Sequence, residues 1–74
     1  MGRKLRVLSG HEVCEILAGH GFEEVRRRGS HILMQRRGPS DSTTVPVPDH
    51  PELRIGTLRA IIRQSGIPRS KFEE

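Results

Sequence analysis

Phe22-Glu23-Glu24-Val25-Arg26-Arg27-Arg28-Gly29-Ser30-His31-Ile32-Leu33-Met34-Gln35-Arg36-Arg37 contains two short runs, 22–28 and 31–37, on either side of Gly29-Ser30. A two-residue link with a glycine, between runs of which the second is rich in strand-compatible side chains (Ile32, Leu33, Met34), predicts a β-hairpin. Downstream, Gly38-Pro39-Ser40-Asp41-Ser42 is a run of loop formers, and Thr43-Thr44-Val45-Pro46-Val47 is β-branched enough for a third strand. Pro46 has no amide to give to a ladder, which puts that strand at an edge.

Helices flank the strands. Upstream, Ser9-Gly10-His11-Glu12 has the pattern of a capping box, in which serine and glutamate side chains satisfy each other's backbone N–H groups. The helix starts at Gly10, with Leu8 and Val13 as a hydrophobic staple. Val13, Ile16, Leu17 and His20 follow at helical spacing, and Gly19 and Gly21 are expected to supply left-handed backbone that ends the helix near His20. After the break at Pro48-Asp49-His50-Pro51-Glu52, Ile55, Leu58, Ile61, Ile62 and Ser65 form a second helical stripe over about residues 55–65, stopped by Gly66. A last turn over 68–72 would drop Phe72 onto the core.

The order helix, three strands, helix predicts one α+β domain over residues 1–74: an αβββα fold with a three-stranded antiparallel sheet and both helices on one face. The expected core is Val13, Ile16, Leu17, Phe22, Ile32, Met34, Val45, Leu58, Ile61 and Ile62. Strand alternation sends Ile32 and Met34 toward the helices, and His31, Leu33 and Gln35 to the open face.

That core is thin. A 74-residue chain buries only about 60% of the surface its unfolded form exposes, and Phe22 and Phe72 are its two aromatics. Cys14 is the single cysteine, so no internal disulfide forms, and no Cys/His spacing matches a zinc site. A protein partner is therefore an expected stabiliser. The opening Met1–Leu8 is basic but runs straight into a polar helix start, without an apolar stretch suited to a signal peptide or membrane span, and the chain is read as cytoplasmic.

Thirteen Lys and Arg face nine Asp and Glu, the sequence pI is about 10.6, and eleven of the thirteen bases are arginine. Guanidinium binds phosphate in a planar, bidentate way, and a basic small domain carries the electrostatic footprint of a nucleic-acid binder.

Imidazole titrates nearest neutrality, so the four histidines are the first candidates for acid–base chemistry. His11 falls in the exposed first turn of the first helix, and His20 continues an apolar stripe. His50 lies in a proline-flanked loop. His31 begins a strand on the open face, just after Arg26-Arg27-Arg28 and across the hairpin from Arg36-Arg37. Alternate arginines sharing its face would outline a phosphate site. The carboxylates are scattered without metal-ligand spacing, no cofactor is indicated, and Gly29-Ser30-His31 is not a Gly-x-Ser-x-Gly nucleophile elbow.

Two stretches resemble the HicA toxins of bacterial toxin–antitoxin pairs, a family of mRNA interferases. The first is Gly21-Phe22, six residues, then Gly29-Ser30-His31. The second is Val45-Pro46-Val47-Pro48-Asp49-His50, followed by Gly56-Thr57-Leu58-Arg59-Ala60-Ile61-Ile62-Arg63-Gln64-Ser65-Gly66-Ile67. The resemblance implies a double-stranded-RNA-binding-like fold, RNA cleavage that needs the histidine of the Gly-Ser-His position (here His31), and a HicB-type antitoxin partner. His50 belongs to the family pattern as a possible supporting residue. Many relatives carry a polar or aromatic residue after the Gly-Ser-His histidine, where this chain has Ile32. The expected site is thus His31 for catalysis, with Arg26, Arg28, Ser30 and Arg36 on the RNA. The alternatives are a non-catalytic double-stranded-RNA-binding module and a protein-interaction domain whose basic face meets an acidic partner.

Overall fold

The computed structural model describes residues 3–74. Helix α1 spans Gly10–Ala18 and is followed by strands β1 (Glu23–Arg28), β2 (His31–Arg37) and β3 (Ser42–Pro48). Helix α2 spans Ile55–Ser65, and a 3-10 turn at Arg69–Phe72 comes last. The sheet is antiparallel with β2 in the middle, so the chain has the αβββα order read from its sequence.

Ser9 opens α1 with a full capping box: its Oγ accepts from the Glu12 N–H at 3.0 Å, and the Glu12 carboxylate accepts from the Ser9 N–H at 2.9 Å. Two orphan donors are satisfied at once, an arrangement worth about 1 kcal/mol. The helix ends two residues short of His20. Gly19 stays right-handed (φ −66), and the left-handed residue is Gly21 (φ +90). α2 has the extent its isoleucine spacing predicts, closed by a left-handed Gly66.

Ile32 and Met34 of β2 and Val45 and Val47 of β3 are buried with Val13 and Leu17 of α1 and Leu58 and Ile61 of α2. Both helices therefore cover the same face of the sheet. Ile16 and Ile62, expected inside, are only half-buried at the margin of the core. The remaining volume is filled by side chains from irregular segments: Leu5, Leu8, Leu53, Ile67 and Phe72. Backbone hydrogen bonds hold these segments in place, from Arg6 N–H to Phe72 O (2.8 Å), from Glu74 N–H to Lys4 O (3.0 Å) and from Leu53 N–H to Leu8 O (2.8 Å). The two ends of the described chain are thus laced together over the core. β3 is an edge strand, which tolerates Pro46 and Pro48.

β1 is exposed along its whole length and adds nothing to the core. It also carries a bulge. Glu24 pairs with Met34 and Arg26 with Leu33, leaving Val25 as the extra residue.

Candidate RNA-binding and catalytic face

His31 owes its position to the turn before it. Arg28 pairs with His31, so Gly29 and Ser30 alone make the link. Gly29 has φ +59 and Ser30 does not have a positive φ, the pattern of a type II′ turn, whose first central position suits glycine. The turn is tied from outside. Asp49 N–H donates to Ser30 O at 2.6 Å, and the Asp49 carboxylate accepts from Arg27 Nη1 at 2.9 Å. The next residue, His50, offers its carbonyl to Gly10 N–H at 2.9 Å. The start of α1 and the end of β3 meet so closely that a Cβ on residue 10 would stand 2.0 Å from Pro48 O. Glycine is required there.

Cross-strand partners share a face of the sheet, so the register sorts the candidates. His31 lies between Arg28 and Pro48, Leu33 between Arg26 and Pro46, and Gln35 between Glu23 and Thr44. The face away from the helices therefore carries His31, Arg26 and Arg28 together, all three exposed. Ser30 is exposed in the turn beside them. Arg37, opposite Ser42, lies at the far end of the same face.

Arg36 does not join them. It pairs with Thr43 on the helix side, where its guanidinium stacks 4.7 Å from the centroid of the Phe22 ring. It also reaches His20 O at 3.5 Å and Ser65 O at 3.3 Å. The expectation that Arg36 shares a face with His31 is corrected accordingly: the alternation that brings His31 outward turns Arg36 inward, toward the carboxyl ends of both helices. Applied to the end of the strand, that alternation leaves Arg37, not Arg36, on the His31 face.

Arg27 is also committed elsewhere. It lies between Glu24 (3.7 Å) and Asp49, and the Asp49 hydrogen bond holds its guanidinium more firmly protonated. Asp49 was not singled out from the sequence. Its signal there is the loop it shares with His50, and its function in the fold is to brace the His31 turn.

Among the other histidines, His20 is half-buried, its Nδ1 3.0 Å from Ile16 O, and His11 is exposed. His50 is exposed and braces its loop through its backbone. Cys14 is half-buried on the helix side, and burial pushes its thiol up to about 11. Among the described residues, no three His, Cys, Asp or Glu side chains gather to hold a metal ion, and no helix is long and apolar enough to cross a membrane.

An exposed imidazole that shares one sheet face with two guanidinium side chains can bind a phosphodiester and move a proton beside it. The model of one protein family, described as the HicA toxin of bacterial toxin-antitoxin, matches residues 10–67, from the first residue of α1 to just beyond α2. No curated protein and no solved structure matches the chain.

Proposed function

The chain belongs to the HicA toxin family of bacterial toxin–antitoxin systems, and we propose that it is an endoribonuclease that cleaves mRNA with His31 as its catalytic residue. The observation that carries this reading is the shared face of His31, Arg26 and Arg28 in adjacent strands. RNA supplies its own nucleophile. Removal of the 2′-hydroxyl proton lets the 2′-oxygen bond to phosphorus while the bond to the 5′-oxygen breaks and that oxygen takes up a proton. His31 acts as the general base or acid in this exchange, a contribution of roughly 10²- to 10⁴-fold. Arg26 and Arg28 hold the phosphate and offset the charge that grows on it. Ser30 lies at the edge of this site, and His50 supports the loop behind it. The chemistry asks for no metal ion.

The protein partner is a HicB-type antitoxin in the cytoplasm, which covers the basic face with acidic or polar groups and keeps RNA away from His31. Co-expression should give a stable complex with suppressed cleavage, and a tight complex that still cuts RNA would refute occlusion.

The decisive experiment uses labelled single-stranded RNA in EDTA, with the parent protein and His31→Ala side by side. The variant should fold, because His31 is exposed. It should retain most RNA affinity, because arginines make the phosphate contacts, and lose cleavage by about 100-fold or more. A DNA strand of the same sequence, without the 2′-hydroxyl, should survive both proteins. Equal cleavage by parent and variant would remove His31 from the mechanism, and no cleavage by either would leave an RNA-binding module.

A further inference from the structure

At the end of the open face farthest from His31, the β2–β3 loop borders an open, shallow cleft of about 440 Å³ between Gln35, Arg37 and the loop residues 38–42, Asp41 among them. That volume is within the range of small-ligand sites, about 300–1,000 Å³. We propose that this cleft is a nucleobase subsite that reads guanine and sets the sequence preference of the chain, a proposal that rests on the RNA-cleaving assignment for its substrate class.

The register puts the cleft on the same face as His31. His31, Leu33, Gln35 and Arg37 alternate along β2 on one face, and Gln35 stands four residues from His31, about 13 Å at strand spacing. Leu33 and the exposed Pro46 opposite it give the ground between them an apolar surface. Bases in single-stranded RNA are usually stacked on aromatic rings, but Phe22 and Phe72 are both buried on the other side of the sheet. Selectivity on this face therefore has to come from hydrogen bonds made in a concavity.

The polar groups of the cleft favour a base over a phosphate. The Asp41 carboxylate only accepts hydrogen bonds and repels phosphate, whereas Arg37 only donates. Guanine answers both: its ring N–H and exocyclic amine lie side by side for a carboxylate, and O6 and N7 accept from a guanidinium. No other standard base offers two adjacent N–H donors on that edge. The Gln35 amide makes only long contacts, 3.3 Å to Thr44 Oγ1 and 3.5 Å to Ser42 Oγ, so it can turn to a ligand at little cost. The loop is shaped in advance. Gly38 N–H donates to Asp41 O at 2.6 Å, and a Cβ on residue 38 would stand 2.8 Å from that oxygen. That close approach ties the Asp41 backbone to Gly38 across the loop.

The test measures binding in the His31→Ala protein, which cannot consume its ligand. Labelled oligoadenylates carrying a single guanine, cytosine or uracil at each position in turn are titrated by fluorescence anisotropy. A guanine at one position should tighten binding on the order of tenfold, the discrimination expected of one bidentate contact. Asp41→Asn and Gln35→Ala should erase that preference without lowering the melting temperature, as Asp41 is exposed and Gln35 is on the open face. Equal affinity for all four bases, no binding of any oligonucleotide, or a guanine preference that survives both substitutions overturns the subsite. The cleavage assay on the parent protein reports separately on His31: loss of the enzymatic reading leaves a measured guanine preference standing, and loss of the preference leaves His31-dependent cleavage standing.

Discussion

Replacing Arg36 with glutamine separates stability from RNA binding, because this arginine is built into the fold while its neighbours in sequence space point at solvent. Its guanidinium lies 4.7 Å from the Phe22 centroid, a cation–π contact of about 0.5–2 kcal/mol depending on desolvation. At 3.5 and 3.3 Å from His20 O and Ser65 O, it is too far for full hydrogen bonds. It still presents a positive charge to the negative ends of α1 and α2, each worth about 0.3–1 kcal/mol. Together these come to about 2 kcal/mol. In a domain of this size each kcal/mol moves Tm by about 4–8 °C, so Arg36→Gln should melt about 8–16 °C below the parent by circular dichroism. Its RNA affinity, measured at a temperature where it remains folded, should match the parent's. Arg28→Gln should do the reverse, with an unchanged melt, weaker RNA binding and a salt dependence reduced by about one unit of slope. An Arg36→Gln protein that melted with the parent but lost RNA binding would show that the face assignment is wrong.

Ile61 is 2% exposed, and Ile61→Ala should cost about 2–5 kcal/mol; a urea midpoint close to the parent's would place it outside the core. The Cys14 thiol, raised by burial to about 11, should react with iodoacetamide at pH 8 roughly a hundredfold more slowly than after unfolding in urea, and a fast native reaction would contradict its burial. The backbone N–H of Ser9 holds the Glu12 carboxyl below the usual glutamate range. The folded-state value is depressed, so its stabilisation is present above that range and fades as pH falls through it. Thermal melts of the parent and Glu12→Gln should therefore converge in acid, and a gap that widened there would reverse the sign.

The elements legible in the sequence are those with a local chemical reason. Gly29-Ser30 specifies the hairpin because a type II′ turn suits glycine at its first central position, Ser9 and Glu12 mark the start of α1, and the isoleucine spacing marks α2. The end of α1 was less legible, since glycine permits left-handed backbone without requiring it: Gly19 stays right-handed and Gly21 makes the turn. Leu5, Leu53 and Ile67 are single apolar residues in segments without a period, and nothing local distinguishes them from exposed ones. Leu5 is buried where the two ends of the described chain are laced together, and Leu53 where its N–H meets Leu8 O. Arg36 was within reach of the argument that oriented His31, because strand alternation runs to the end of β2. The Val25 bulge was not, since an inserted residue is defined by the partner strand it fails to match.

That bulge bears directly on the site. A strand usually takes its register from the apolar residues it buries, and a slip of one residue sends every side chain to the other face. β1 buries none, so its phase has to be set by other means. From its end, the two-residue turn fixes Arg28 opposite His31. From the helix side, Arg27 is held by Asp49, whose own N–H binds the turn at Ser30. Val25 absorbs the mismatch upstream: without it Glu24 would alternate onto the open face with Arg26 and Arg28, whereas with it Glu24 faces the helix side and pairs with Arg27. The unpaired residue therefore decides which of the two adjacent carboxylates shares the open face with Arg26: Glu23, opposite Gln35, rather than Glu24. Val25 itself is left 48% exposed, and downstream of it Arg26 and Arg28 keep the alternation with His31 that the turn sets.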